Sequence, residues 1–504
     1  MQKPVFILVI LLLYTPLLAS NSTDITAQLI GVLDKERPAN DTGWLLWRSS
    51  EDNLYASDDF FITFIIEHTH KTLLIDYKET KPDIRVKFTG LDAEPRDIQS
   101  QSVHVITAVD SIYPDMAGSG RGYSYSDLNP GQPQADFHHR TIEVPVCYDD
   151  PSRGTFELYY ELCSDYDESK PVILIPTDGQ RTLPQVGWAD KYKEMFGLDA
   201  NTVTYEYRGM HGSSIPGLDQ MSWPQKYDAL NTDQVVQDIE RIRRDLPGNQ
   251  KINILGGSGT AMMGLKYTAA YPQHVERAFL MSFFKDARGS SEAGVRFFGQ
   301  FLRDNKIEKK FATAVKNPNV DEKQLLFLVQ RLLYYDQDAA ARLIRQVSAD
   351  SLNVYQQYTR QLGTVDTFIR SAQTHKPWSV VFMYETNIPT HLQGLPDIND
   401  PFLQMAAPLR RAFSDSATRT HLFDIDNLEQ VDTEILLVGG TLDPVAPLSE
   451  LQRIHEQLPH SALAVFEANH CLQSPEPARK ARSRVANLFF KYGMNSEAVQ
   501  HYLK

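Results

Sequence analysis

Ser258, Asp443 and His470 are the residues of this chain whose types and order could together perform nucleophilic catalysis. A serine hydroxyl becomes a strong nucleophile when a histidine takes its proton, and a carboxylate holds that histidine in the correct tautomer. Each of the three residues follows a short apolar stretch that is typical of a buried strand. The pattern predicts acyl transfer through a covalent serine intermediate.

The stretch around Ser258 has the composition of a nucleophile elbow. Residues 252–255 (Ile-Asn-Ile-Leu) predict a short strand, the turn that follows contains Gly-Gly-Ser-Gly-Thr, and residues 261–271 predict a helix. The serine of such a strand–turn–helix unit lies at the apex of a turn so sharp that its flanking residues must be small. Gly256 and Thr260 take the flanking positions, and Thr260 stands where a glycine is usual. A phosphate-binding loop or an ordinary turn is the alternative interpretation.

The acid and the histidine follow two later strands. Asp443 comes in the turn after the strand predicted at 434–438, and His470 comes in the loop after the strand predicted at 462–466. Taken singly, Asp443 is more often a turn residue and His470 a polar loop residue. Three residues after three strands, in the order serine, acid, histidine, predict a catalytic triad.

An enzyme of this kind also needs two N–H groups that stabilise the negative charge on the attacked carbonyl oxygen. The backbone N–H of Gly259, directly after the nucleophile, is the first candidate. The second is the backbone N–H of Gly179 or its neighbour, in the loop Thr-Asp-Gly-Gln after the apolar strand predicted at 171–175. A plain Asp-Gly turn is the alternative interpretation of this loop.

Length and composition limit the possible classes of protein. The chain has 504 residues, of which 42% are hydrophobic and 23% charged, so two or three ordinary globular domains are expected. A net charge of −14 at pH 7 argues against nucleic acid or an anionic membrane as the main partner. The three cysteines lack the spacing of metal ligands. Acyl transfer through a serine implies no metal and no organic cofactor.

Residues 1–20 have the features of a secretory signal. Lys3 supplies the positive start, residues 5–13 are an unbroken apolar run, and Leu-Leu-Ala at 17–19 offers a cleavage site. The apolar run is short for a membrane span, and no other stretch of the sequence could cross a bilayer. We therefore expect a secreted or periplasmic protein; the alternative is an uncleaved anchor.

Two cysteines, Cys147 and Cys163, flank the turn at 150–154 between strands predicted at 141–148 and 155–163. In a simple hairpin Cys147 would face a residue near position 155 instead of Cys163. We therefore expect both to be free thiols.

The N-terminal part of the chain differs from the rest. Residues 21–114 are predicted to form a β-rich module, and residues 115–138, rich in Gly, Ser, Pro and Tyr, to form a linker. The strands predicted in the module lie at 60–66, 72–77, 84–88 and 102–108. The module contains no residues that indicate a chemical function.

The remaining chain is predicted to be an α/β domain interrupted by a helical cap. Strands alternate with helices at 139–284 and again at 431–504, which indicates a mostly parallel sheet covered by helices. Residues 285–430 break that alternation and are predicted to be mainly helical. Thr232 is predicted to cap one helix of the sheet domain, and Asp321 to cap one helix of the insertion.

About half of the chain resembles a known family. The stretches that carry the resemblance are Tyr207–Ser213 (Tyr-Arg-Gly-Met-His-Gly-Ser), Asn231-Thr-Asp with the helix that follows, Leu255–Thr260, and Gly440–Pro447. They are similar to segments of the prolyl aminopeptidase and tripeptidyl aminopeptidase group of α/β-hydrolases. The resemblance implies the α/β-hydrolase fold and hydrolysis of peptide bonds near a free N-terminus.

This sequence departs from the group in three places. The group's His-Gly-Gly-Pro-Gly oxyanion segment is replaced by Thr-Asp-Gly-Gln from Thr177, and Cys471 stands where a glycine usually follows the catalytic histidine. The N-terminal module has no recognisable counterpart. The first departure concerns the geometry that stabilises the oxyanion.

The resemblance further implies a cap that binds the substrate's free N-terminal amine through carboxylates. Glu385, at the end of the apolar run 381–384, resembles the acid that the group presents for this purpose, and Asp178 is a second candidate. A solvated glutamate at the end of an element is the alternative for Glu385.

The sequence thus predicts an exported serine aminopeptidase that acts on peptides with a free N-terminus. An esterase or lipase with the same triad, and an α/β-hydrolase scaffold used only for binding, are the alternatives. Dependence of hydrolysis on a free amine separates the aminopeptidase from the esterase. Labelling by a fluorophosphonate separates an enzyme from a scaffold.

Overall fold

The computed structural model describes a small part of the N-terminal region and most of the chain from Asp136 onward. The described residues are 44–49, 61–68, 71–78, 84–90, 136–179, 187–248, 251–285, 287–333, 337–362, 365–386, 404–413, 425, 427–473 and 475–503. The predicted signal and the predicted strand at 102–108 lie outside them.

The chain divides into two compact units: residues 1–130 with 352–364, and residues 131–351 with 365–504. The strands are β1 (Trp44–Ser49), β2 (Phe61–His68), β3 (Lys71–Lys78), β4 (Ile84–Gly90), β5 (His139–Pro145), β6 (Thr155–Leu162), β7 (Val172–Leu174), β8 (Asn201–Tyr205), β9 (Ile252–Gly257), β10 (Val275–Met281), β11 (Glu434–Gly440) and β12 (Ser461–Phe466).

The helices of the α/β part before the cap are α1 (Trp188–Phe196), α2 (Trp223–Leu230), α3 (Thr232–Asp245) and α4 (Gly259–Ala270). Between β10 and β11 follow α5 (Ala287–Asp304), α6 (Glu308–Val315), α7 (Glu322–Leu333), α8 (Gln337–Ser348), α9 (Asn353–Leu362), α10 (Val365–His375), α11 (Pro377–Thr386) and α12 (Ala407–Ala412). The chain ends with α13 (Leu448–His455), α14 (Glu476–Tyr492) and α15 (Glu497–Gln500).

The first unit contains an antiparallel sheet in the sequential order β1-β2-β3-β4. Strands β2, β3 and β4 overlap the strands predicted at 60–66, 72–77 and 84–88. Strand β1 was not predicted. Helix α9 belongs to the same unit.

The second unit is built on an eight-stranded sheet in the order β12-β11-β10-β9-β7-β8-β6-β5. The first six strands of that order run parallel, and the β5–β6 hairpin adds two antiparallel strands at one edge. Strands β7, β8 and β9 are buried along their whole length, as their continuous apolar runs require of strands covered on both faces. The predicted mostly parallel, helix-covered sheet is confirmed.

The described secondary-structure elements of the insertion between β10 and β11 are all helices. In α7 every residue from Gln324 to Leu333 is buried, and α7 packs against α8. The side chain of Asp321 accepts a hydrogen bond from the backbone N–H of Gln324 at 2.7 Å, which confirms the predicted cap. Helix α11 is buried at nine of its ten positions and packs against α2, α10 and α12.

One predicted cap is wrong by one residue. Asn231, not Thr232, caps α3, because its side chain accepts the N–H of Gln234 at 3.1 Å. The β5–β6 register pairs Pro145 with Thr155 and therefore puts Cys147 and Cys163 at opposite ends of the hairpin. Both are buried free thiols, as is Cys471.

None of the helices in the described part of the chain is long and apolar enough to cross a membrane.

Candidate active site

Ser258 lies at the tip of a strained turn between β9 and α4. Its backbone has φ 56° and ψ −128°, a conformation that residues with a side chain rarely adopt, and its N–H donates to the carbonyl of Met281 at 2.9 Å. Gly256 is forced to be glycine, since an added Cβ would lie 2.7 Å from Cα of Ala261 and 2.8 Å from the carbonyl oxygen of Thr260. The predicted elbow geometry is therefore present.

Thr260 strengthens this turn where a glycine would only permit it. Its hydroxyl accepts a hydrogen bond from the N–H of Gly257 and donates one to the carbonyl of the same residue, both at 2.8 Å. The side chain is fully buried. Where a glycine would leave the backbone free, the Thr260 side chain therefore stabilises the turn with two hydrogen bonds to Gly257.

Asp443 and His470 come together at the carboxyl ends of β11 and β12. Nδ1 of His470 lies 2.9 Å from Oδ2 and 3.0 Å from Oδ1 of Asp443, and both side chains are buried. A histidine bound in this way donates its Nδ1 proton to the carboxylate and presents Nε2 to the nucleophile. The predicted pairing of these two residues is present.

Backbone hydrogen bonds fix the loop of Asp443. Oδ1 of Asp443 accepts the N–H groups of Val445 and Ala446, each at 2.9 Å. The N–H of Leu442 donates to the carbonyl of Ala468 at 2.9 Å, which ties the acid loop to the histidine loop. The carboxylate therefore reaches the imidazole from a rigid position.

The charge of Asp443 controls the protonation of His470. Burial by itself would lower the pKa of His470, but attraction to the Asp443 carboxylate outweighs it and raises the pKa well above the usual value. The imidazolium that forms when Ser258 loses its proton is thereby stabilised.

The backbone conformation of Cys471 is one that favours glycine, the residue that is usual at this position after the histidine. Its backbone has φ 54° and ψ 22°, in the left-handed region that glycine adopts without strain. Two hydrogen bonds stabilise this strained conformation: the N–H of Cys471 donates to Oγ of Ser282 at 2.9 Å, and Arg482, in α14, donates to the carbonyl of Cys471 at 2.9 Å. A residue with a side chain is thus tolerated beside His470.

The same cysteine joins the histidine loop to the elbow. Its Sγ lies 3.2 Å from the position that a Cβ on Gly257 would take. Gly257 precedes Ser258 and Cys471 follows His470, so the nucleophile and its base project from adjoining backbone segments.

The predicted oxyanion residues lie around the start of α4. Gly259 is the first residue of that helix, where backbone N–H groups have no partner within the helix and the helix dipole favours negative charge. Asp178 lies against it: a Cβ on Gly259 would be 2.8 Å from Cγ and 3.0 Å from Cβ of Asp178. Gly179 follows Asp178 in the loop after β7, and both are buried.

Glu385 has a different environment. It is buried at the end of α11, where Oε2 accepts the N–H of Thr232 at 2.8 Å and Oε1 accepts the hydroxyl of Tyr227 at 3.1 Å. Burial raises the pKa of its carboxyl group. These are contacts of a carboxylate at a helix N-terminus, so Glu385 and Asp178 lie in distinct settings.

Ser282, Arg482 and Ser379 support the site and were not identified from the sequence. The first two hold Cys471, and the hydroxyl of Ser379 donates to the carbonyl of Gly179 at 2.6 Å. No local motif marks these residues. Their supporting role follows only from their tertiary contacts with Cys471 and Gly179.

Several solved structures are similar to this chain at low sequence identity and low TM-score. They include the α/β-hydrolase enzyme MGS-M2 from a Medee basin deep-sea metagenome library, at 16% identity and a TM-score of 0.37 over 67% of this chain and 94% of that one. A proline iminopeptidase from Mycobacterium smegmatis is similar at 14% identity and a TM-score of 0.36, over 70% of this chain and 99% of that one. A comparison with curated proteins gave no match.

A family model described as the alpha/beta hydrolase fold matches residues 186–477. The match begins just before α1 and ends in α14, so it includes the elbow, the cap and the loops of Asp443 and His470. Because it covers more than half of the sequence, this chain belongs to the α/β-hydrolase family.

Proposed function

We propose that this α/β-hydrolase is a serine aminopeptidase, which hydrolyses the peptide bond next to a free N-terminus. The observation that carries the proposal is the carboxylate of Asp178, which lies against Gly259 directly beside the nucleophile. The bound Asp443–His470 pair and the strained elbow supply the general hydrolytic chemistry.

The proposed reaction runs through an acyl-enzyme. Nε2 of His470 takes the proton as Oγ of Ser258 attacks the carbonyl carbon, and N–H groups at Gly259 and near Gly179 stabilise the resulting oxyanion. His470 then gives the proton to the leaving amine as the peptide bond breaks. A water molecule, activated in turn by His470, releases the acyl group and restores Ser258.

The position of Asp178 suits the amine of the residue whose carbonyl is attacked. That α-amine is bonded to the Cα next to the carbonyl carbon, so it must lie beside the oxyanion hole. The amine of a tripeptide would lie two residues farther along, at about 3.3–3.6 Å per residue in an extended chain. Release of a single residue is therefore favoured over release of a tripeptide.

The negative charge of Asp178 also favours substrates with a protonated α-amine over neutral acyl substrates. Two like charges about 4 Å apart repel by about 4 kcal/mol at an effective dielectric constant of about 20. The carboxylate of Asp178 therefore opposes an oxyanion formed from a neutral acyl substrate. A substrate with a protonated α-amine removes this penalty and adds a charge-assisted hydrogen bond.

The test compares three substrates: an aminoacyl arylamide with a free amine, its N-acetyl form, and p-nitrophenyl acetate. In Asp178→Asn, kcat/KM for the free-amine substrate should fall roughly 10- to 150-fold, which corresponds to the 1.5–3 kcal/mol of a hydrogen bond to a charged group. Hydrolysis of p-nitrophenyl acetate should rise in the same variant. Glu385→Gln is the matched control, and it should leave the preference for a free amine unchanged.

Equal hydrolysis of the free and acetylated arylamides by the wild-type protein, with fast cleavage of p-nitrophenyl acetate, would assign the chain to the esterases. Failure of Ser258 to react with a fluorophosphonate would favour a binding scaffold. A loss of amine preference in Glu385→Gln alone would transfer the amine-binding role to Glu385.

We also propose that residues 1–20 are a signal peptide that directs export of the protein and is then cleaved off. The proposal rests on the positive start and the apolar run of this segment. N-terminal sequencing of the mature protein tests this: a new terminus near position 20 is expected, and a mature protein that retains Met1 would refute it.

A further inference from the structure

The cap is bonded directly to the loop after β7 that is expected to build the oxyanion hole. Oγ of Ser379, in the first turn of α11, donates a hydrogen bond to the carbonyl oxygen of Gly179 at 2.6 Å. Ser379 is only 6% exposed, so the bond is shielded from water. The two residues are 200 positions apart in the sequence.

The loop at Gly179 is also closely packed against helix α11. A Cβ on Gly179 would lie 2.9 Å from Cγ of Phe382 and 2.9 Å from the carbonyl oxygen of Trp378. Only glycine allows this approach. The backbone at Gly179 is therefore in van der Waals contact with α11 as well as hydrogen-bonded to it.

The far end of α11 is fixed to the core. Glu385 accepts hydrogen bonds from Thr232 and Tyr227, at the start of α3 and in α2. Nζ of Lys266, in the helix that follows the nucleophile, donates to the hydroxyl of Thr232 at 2.7 Å. Helix α11 thus connects the loop at Gly179 to the helices packed around the elbow.

We propose that Ser379 is a positioning residue for the oxyanion hole and holds the loop at Gly179 against helix α11 of the cap. The proposal rests on the function proposed above, to the extent that Ser258 must act as a nucleophile. It does not depend on whether the substrate is a peptide or an ester.

The physical reason is the rotational freedom of a glycine peptide. Glycine adopts many backbone conformations at little cost, so the peptide after Gly179 could turn its carbonyl toward the nucleophile. A carbonyl oxygen carries partial negative charge and would oppose a developing oxyanion, whereas an N–H there stabilises it. The hydrogen bond from Ser379 holds the carbonyl on the side of the cap.

The experiment measures p-nitrophenyl acetate hydrolysis in Ser379→Ala, because this substrate has no amine and does not involve the recognition role of Asp178. We expect kcat to fall about 10- to 100-fold with KM unchanged, somewhat less than the roughly 10²- to 10³-fold cost of removing one oxyanion donor. Ser379→Thr retains the hydroxyl and should restore most of kcat.

The matched control is Thr386→Ala on the same helix. Its hydroxyl donates to the carbonyl of Phe382 at 2.7 Å, so the variant also removes one buried hydroxyl bond but does not touch Gly179. Thr386→Ala should keep the wild-type kcat. Active-site titration with a fluorophosphonate corrects each variant for its folded fraction.

Three results would overturn the proposal: an unchanged kcat in Ser379→Ala, a change confined to KM, or an equal loss of kcat in Thr386→Ala. Each is distinguishable from failure of the proposed function. An esterase would still hydrolyse p-nitrophenyl acetate and show the Ser379→Ala effect, whereas a binding scaffold would neither hydrolyse the ester nor react with the fluorophosphonate.

Discussion

Asp443 and Glu385 are both buried carboxylates that accept backbone N–H groups, and they differ in the side chain that each binds. Asp443, at the carboxyl edge of the main sheet, accepts from Val445 and Ala446 and also binds the ring of His470. Glu385, at the end of α11, accepts from Thr232 and from the hydroxyl of Tyr227.

The two carboxylates differ in their side-chain partner, which is the imidazole of His470 for Asp443 and the hydroxyl of Tyr227 for Glu385. An imidazole gains and loses a proton near neutral pH, so a carboxylate bound to it can control proton transfer. A tyrosine hydroxyl keeps its proton over that range, so a carboxylate bound to it only fixes one element against another. Burial, charge and backbone hydrogen bonds are therefore insufficient to distinguish a catalytic acid from an architectural one.

The largest effect is expected from Ser258→Ala, which removes the group that the Asp443–His470 pair activates. Turnover should fall on the order of 10⁶-fold, since the members of a triad act as a unit. The fold should remain intact because alanine keeps the Cβ of the elbow residue. Steady-state kinetics and circular dichroism check both points, and normal turnover with normal fluorophosphonate labelling would refute the assignment of the nucleophile.

Asp443→Asn should be much more damaging than its small change in shape suggests. An asparagine can hold the wrong tautomer of His470, which costs roughly 10⁴-fold in the serine proteases. The variant is compared with wild type by kcat on the best substrate. If it retains activity while a carboxylate of the cap proves essential, then the catalytic acid is misassigned.

The pH dependence reports the same interaction, with about a tenfold change in rate for each pH unit on the acid limb. Only neutral His470 can act as a base, and its pKa is raised by Asp443, so kcat/KM should be lost as pH falls through a value above 6.5. In Asp443→Asn the residual activity should fall at a lower pH. A wild-type acid limb well below the ordinary histidine pKa of about 6.5 would contradict this electrostatic assignment.

Linkage gives the sign of the accompanying change in stability. The pKa of His470 is higher in the folded protein than in the unfolded chain. Its contribution to the free energy of unfolding is therefore fully present below about pH 6.5 and is lost as pH rises through the folded pKa. Thermal unfolding measured across this range tests it, with His470→Gln as the variant without the titrating ring.

The smallest effect on catalysis is expected from Glu385→Gln. The variant should lower the free energy of unfolding by about 1–3 kcal/mol, because the amide presents a donor to groups that also donate. Its kcat/KM should remain close to the wild-type value, because the substitution leaves Ser258, Asp443, His470 and Asp178 in place. A large loss restricted to substrates with a free amine would show that Glu385 is functional and would remove the contrast with Asp443.

Much of the site could be predicted because its signals are local. The apolar runs before Ser258, Asp443 and His470 mark three parallel strands, and parallel strands bring their carboxyl ends to one edge of the sheet. The order of the three residues then indicates their roles. Strand β1 was missed because its apolar run, Trp-Leu-Leu-Trp, is only four residues long, and a run this short does not distinguish a strand from part of a helix.

The cap of α3 shows where local signals become ambiguous. Asn231 and Thr232 are adjacent and both residue types favour the N-cap position. The side chain of Asn231 takes that role, and the N–H of Thr232 is accepted by Glu385, 153 residues farther along the chain. The choice between the two depends on a contact that no local pattern records.

The sequence by itself predicted the α/β-hydrolase fold, which is confirmed, and the triad of Ser258, Asp443 and His470, since periodicity and spacing encode strands and the turns between them. Only the tertiary structure decided that Asp178 lies against Gly259, that Ser379 binds Gly179, and that Ser282 and Arg482 hold the strained Cys471. Most of these contacts join residues far apart in the chain, and all of them join different elements or loops. They exist because close packing brings separate elements within hydrogen-bond distance, and packing depends on the whole set of side chains at once.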